Sequence, residues 1–70
     1  MKYAIVKVVN GNFSIDSEGY TDVKNAIVNY FGLCQSLWNA PDVVTASVTI
    51  VDENNKQYTH YAEYIDKTVS

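Results

Sequence analysis

The pair Asn10-Gly11 sits between two runs of alternating, β-favouring residues, and no other feature of this 70-residue chain constrains its fold as much. Asparagine and glycine both tolerate positive φ, which the two-residue type I′ turn between antiparallel strands requires. The run Lys-Tyr-Ala-Ile-Val-Lys-Val-Val over residues 2–9 is therefore expected to be one strand, and residues 12–17, with Phe13 and Ile15 on one side, the next. On the first strand Ala4, Val6 and Val8 share one face, while Tyr3, Ile5 and Val9 share the other with Lys7. Two largely apolar faces place that strand inside a sheet.

The period then changes. Between residues 22 and 39 the apolar side chains Val23, Ala26, Ile27, Tyr30, Phe31, Leu33, Cys34, Leu37 and Trp38 gather on one arc of a helix. Asn25, Asn29, Gly32, Gln35 and Ser36 lie opposite them. Thr21 is the expected N-cap, with Asp22 favouring the positive end of the helix dipole. Gly32 inside the helix implies either a loosened middle or the close approach of another backbone or a ligand. Pro41 ends the helix, because it cannot continue the hydrogen-bond ladder and pushes Ala40 out of the α region.

Residues 42–51 alternate again, with Val44, Ala46, Val48 and Ile50 against Thr45, Ser47 and Thr49, the pattern of a strand covered on one side. Asp52-Glu53-Asn54-Asn55 forms a turn. Residues 56–65 fit two periods: Tyr58, His60, Ala62 and Tyr64 alternate as in a strand, whereas Tyr58, Tyr61, Ala62 and Ile65 also suit a helix. Tyrosine and threonine content, and the turn before them, favour the strand. The expected fold is α+β, a single domain over residues 1–70: a two-layer β-β-α-β-β sandwich with one helix on one face of a four-stranded, mainly antiparallel sheet. The immunoglobulin-binding domains of bacterial surface proteins share that layout, a likeness of architecture that transfers no function.

Charge narrows the partners. Five lysines, no arginine and eight carboxylates give a net charge of -3, which argues against nucleic acid, since duplex binding needs clustered cations and base reading leans on arginine. The carboxylates are too scattered for a nucleic-acid mimic. No apolar run is long enough to cross a bilayer, and Lys7 interrupts any signal-peptide core after Met1, so a cytoplasmic setting is expected. Cys34 is the only cysteine and His60 the only histidine, which excludes an intrachain disulfide and a histidine-rich metal site. Cys34 lies mid-arc on the helix, where a buried, inert thiol is the simpler reading than a nucleophile served by His60. No cofactor is implied, and no pair of groups with matched catalytic roles stands out, so the chain reads as non-enzymatic.

One helix covers one face of a sheet, yet both faces of the first strand are apolar, so the chain is expected to pair with itself as a homodimer or higher oligomer. Candidates for the uncovered surface are Tyr3, Ile5, Val9, Val43, Val51 and some of Tyr58, Tyr61 and Tyr64, with whatever of Phe31, Leu33 and Trp38 the helix footprint leaves out. The candidate ligand site is Tyr58, His60, Tyr61 and Tyr64 beside Lys56, rings that could stack on a planar ligand with a lysine for a phosphate. The competing reading is a ladder of cross-strand tyrosines or an oligomer interface.

The segments Glu18-Gly19-Tyr20-Thr21-Asp22, Ala26-Ile27-Val28 with Tyr30, Gly32 through Ala40, and Val51-Asp52-Glu53-Asn54 resemble small uncharacterised proteins encoded by phages and prophages of gut bacteria. So do the opening Met1-Lys2-Tyr3-Ala4 and the turn Val9-Asn10-Gly11-Asn12. That resemblance brings no activity and no functional residue. It implies a bacterial host cell and a compact oligomer that works by binding, sequestering a small molecule such as a nucleotide immune signal or blocking a host protein. A phage structural or assembly component is the alternative.

Overall fold

The computed structural model describes residues 1–68. Strands β1 (Tyr3–Val9) and β2 (Asn12–Tyr20) precede helix α1 (Val23–Asn39), and strands β3 (Thr45–Asp52) and β4 (Gln57–Asp66) follow it. All pairings are antiparallel in the order β2-β1-β3-β4, so the two hairpins meet along β1 and β3, and α1 lies across one face. The expected α+β sandwich of β-β-α-β-β order is the fold of the chain.

The first turn forms as its residues dictate. Asn10 and Gly11 have φ of 51° and 86°, and Val9 pairs with Asn12 across a two-residue loop. Beyond it β2 carries two irregularities. Ile5 pairs with Ser17 but Val6 with Ile15, leaving Asp16 as an extra residue; Ala4 pairs with Glu18 but Tyr3 with Tyr20, leaving Gly19 extra at φ 84°. These bulges carry the strand on to Tyr20, three residues past its expected end. The displaced Asp16 reaches the Lys7 ammonium at 3.3 Å on the helix-covered side.

Asp22, not Thr21, caps the helix: its backbone is extended and its carboxylate accepts the Lys24 amide at 3.0 Å. Ala26, Tyr30, Cys34 and Leu37 form the buried stripe. Phe31 and Trp38, at the margin of the apolar arc, remain 59% and 49% exposed. A methyl group built on Gly32 would meet nothing within 4 Å beyond its own turn of the helix, so no other described element approaches it closely. At the C-terminus the Lys67 ammonium donates to the Ala40 carbonyl at 2.6 Å, placing a cation at the negative end of the helix.

Beneath the helix lie Tyr3, Ile5 and Val9 of β1, Ala46, Val48 and Ile50 of β3, and Tyr58, Tyr61 and Ile65 of β4. Strand β3 begins at Thr45 rather than residue 42, because Asn10 binds the backbone before it and Val43 turns inward to 6% exposure. Residues 57–66 are a strand with a large bulge: Thr49 pairs with Ala62 but Val51 with Gln57, so two steps along β3 answer to five along β4. The extra residues bring Tyr58 and Tyr61 to the same side of the sheet. Thr59 between them takes φ 48°, an unusual conformation for a β-branched residue.

Candidate functional site

The bulge in β4 gathers most of the expected aromatic site. Tyr58 and Tyr61 stack with centroids 5.8 Å apart and planes 12° from parallel, and His60 stacks on Tyr61 at 4.5 Å. Tyr3 meets Tyr58 edge-on at 5.2 Å, while Tyr30 and Phe31 meet Tyr61 edge-on at 5.8 and 6.3 Å. Pairs of this kind add about 0.5–1.5 kcal/mol each beyond the area they bury, so the cluster closes the core beneath the first half of the helix. Only part of it faces outward: Tyr58 and Tyr61 are half-buried, and His60 and Phe31 are exposed.

Two of the five candidates stand apart from it. Tyr64 pairs with Ser47, whose side chain points away from the helix, so its ring lies on the opposite face of the sheet at 65% exposure. Lys56 is exposed in the β3–β4 turn, where its backbone amide donates to Asp52 Oδ1 at 3.1 Å. The structure therefore brings together Tyr58, His60 and Tyr61, and adds Tyr3, Tyr30 and Phe31. Nothing in the residue spacing flags Tyr3, because its contact arises only when β1 and β4 come under one helix.

Cys34 is buried on the helix beside Tyr30, while His60 is exposed on β4. Burial, with Cys34 and Glu63 close by, pushes the Tyr30 phenol up to about 12. Burial first and then Glu63 also raise the Cys34 thiol. A thiol held protonated in an apolar setting is a poor nucleophile. Among the described residues no three His, Cys, Asp or Glu side chains come together in a way that could hold a metal ion.

The face of the sheet away from the helix carries Ala4, Val6 and Val8 of β1, Phe13 and Ile15 of β2, Ser47, Thr49 and Val51 of β3, and Ala62 and Tyr64 of β4, with the carboxylates Glu18 and Asp66 near its two ends. Phe13 is 66% and Ile15 53% exposed. This corrects the expected makeup of the uncovered surface. Tyr3, Ile5 and Val9 belong to the helix side, with Ile5 fully buried, and Val43 is buried in the core. Val51 and Tyr64 do lie on the bare face, which is otherwise formed by the even-numbered positions of β1 together with Phe13 and Ile15, the pair that alternation sets on one side of β2.

At one end this bare face dips into a concavity of about 590 Å³. Ala4, Val6, Ile15 and Val51 form its apolar floor, and Lys2, Glu18, Asp52, Glu53 and Asn55 stand at its margin. Asp52 is engaged there: Oδ1 accepts the Asn54 and Lys56 amides at 2.9 and 3.1 Å, holding the turn as a wall. None of the candidates Tyr58, His60, Tyr61, Tyr64 and Lys56 lines it.

No family model, curated protein or solved structure matches the chain. No helix among the described residues is long and apolar enough to cross a membrane.

Proposed function

We propose that this chain is a small, non-enzymatic binding protein whose working surface is the bare face of its sheet, and that its first partner is a second copy of itself. The observation that carries this is the adjacency of exposed Phe13 and Ile15 to Val8 and Val6, four apolar side chains on one face, with Lys7 between them turned to the other. The apolar stretch of this sheet face can pack on an identical one in the aligned manner of β-sandwiches. Strand spacing of about 4.8 Å and rise of about 3.3 Å per residue make such a footprint roughly 450 Å². Two of these fall below the roughly 1,200–2,000 Å² of a stable specific interface, so pairing is weak and reversible.

In the phage setting that the sequence resemblance implies, a reversible pair is suited to exchanging its own copy for a host protein and blocking it. A nucleotide guest is less favoured than a protein one, because the concavity sets three carboxylates against one ammonium at its margin, a poor field for polyphosphate. The exposed apolar side chains Phe13 and Ile15 on the bare face also support the second reading, an assembly component whose contacts are all with protein. Sedimentation equilibrium across the micromolar range tests the proposal. The average mass should rise above 7.9 kDa with concentration and return to it in Ile15→Lys. A wild-type chain that stays at that mass throughout would overturn it.

A further inference from the structure

We infer that the concavity on the bare face binds a small organic cation, a primary ammonium carried on an apolar body. This goes beyond self-pairing and stands without it. The floor is mainly apolar, from Ala4, Val6, Ile15 and Val51, with Tyr3 and Gly19 beside them. A volume of about 590 Å³ lies within the usual range for small-molecule sites, about 300–1,000 Å³. Apolar burial alone would not choose between ligands of different charge. The margin does.

The bulge at Gly19 is what brings the first carboxylate there. With Gly19 as the extra residue, Glu18 falls opposite Ala4 and shares the bare face with it, whereas unbroken pairing with Tyr20 opposite Tyr3 would have set Gly19 there instead. Glu53 and Asp52 come from the β3–β4 turn on the other side of the floor. Lys7–Asp16 is the ion pair among the described residues, and none of those residues pairs ionically with Glu18, Glu53 or Lys2. Three carboxylates against one ammonium give the rim a net negative charge, within a chain that is itself at -3. An organic anion would meet that field unfavourably, and a neutral molecule would gain the floor alone. An ammonium with an apolar body gains both.

The test is a titration of the ¹⁵N-labelled full chain with phenethylammonium, hydrocinnamate and hydrocinnamyl alcohol, probes of similar shape and different charge, followed by amide shifts. Phenethylammonium should give saturable shifts at Ala4, Val6, Ile15 and Val51, with weaker response to the alcohol and none to the carboxylate. In Glu18→Gln/Glu53→Gln its affinity should fall about fivefold, the loss of two partly exposed ion pairs. Ala4→Leu, which fills the floor, should abolish the response, and melting curves confirm that both variants fold. Equal response to all three probes, preference for the carboxylate, shifts that never saturate, or shifts centred on Tyr58, His60 and Tyr61 would each overturn the assignment.

Discussion

The side chain of Asn10 holds the backbone of Val44: Oδ1 accepts the Val44 amide at 2.8 Å and the neighbouring Thr45 amide at 3.2 Å. Its Nδ2 donates to the Asp42 carbonyl at 3.0 Å. One residue thus shapes the first turn through its positive φ and fastens the entry of β3 through its amide, joining the two hairpins at the end of the sheet opposite the concavity. The two roles separate by mutation. Asn10→Gly keeps the turn geometry and loses the three bonds, at about 1–2 kcal/mol, or a fall in melting temperature of roughly 5–10 °C for a domain of this size. Asn10→Ala loses the bonds and adds left-handed strain, so it should melt lower still. The ranking Ala below Gly, read by calorimetry, is the expected outcome; equal melting would remove the turn's part in it.

Thr59 offers the opposite experiment. Its φ of 48° is one a β-branched residue resists, and it is exposed, its backbone carbonyl accepting from Gln57 Nε2 at 2.8 Å. Thr59→Asn and Thr59→Gly should both leave the Tyr58–Tyr61 stack in place. Asparagine tolerates the left-handed region with less loss of chain entropy than glycine, so Thr59→Asn should stabilise the fold by up to about 1 kcal/mol. Urea denaturation with near-ultraviolet dichroism reads both quantities. A fall in stability together with a lost aromatic signal would mean that the threonine side chain itself supports the bulge.

These two positions also mark how far the fold can be read from the residues. Asn10-Gly11 is legible because its chemistry and its turn type coincide. The bulge is not, because threonine carries no sign of a positive φ, and the result is a stretch where Tyr58 and Tyr61, three apart, face the same way within a strand. That is why residues 56–65 fit helical and strand periods equally well. The two apolar faces of β1 are visible in the sequence, but which one the helix covers depends on the other three strands, and Lys7 on the covered side obscures the choice. Tyr64 parted from the candidate site for the same reason: beyond the bulge ordinary alternation resumes and turns it to the bare face. The concavity depends on Gly19 as a bulge residue, which a glycine beside a helix cap does not announce.

Alkaline pH should expose the burial of Tyr30. Its phenol, raised from 10.0 to about 12, holds its proton more tightly in the folded chain than in the unfolded one. The associated stability is whole below pH 10 and is lost as pH climbs from 10 through 12, because the unfolded chain ionises first. The raised Cys34 thiol acts in the same direction from a lower starting point. Tyr30→Phe removes the phenol and keeps the ring that meets Phe31 and Tyr61, so its urea midpoint should decline less over that interval than the wild type's. Parallel declines would show that Tyr30 ionises as easily in the folded chain as out of it.

Trp38 can report which surface pairs. It is the only tryptophan, half-exposed on the helix, and so lies on the other side of the sheet from Phe13 and Ile15. With Phe31 and Val28 it makes the helix flank a second exposed apolar surface, one that could also bury itself against a copy. The two arrangements differ in what the indole feels. Pairing through the bare sheet face leaves Trp38 in water, so its emission maximum should hold steady across the concentrations at which sedimentation shows the mass rising. Burial of an indole moves its emission to shorter wavelength, and a blue shift that tracks association would transfer the interface to the helix. In that event Ile15→Lys would leave the mass unchanged and Trp38→Gln would reduce it.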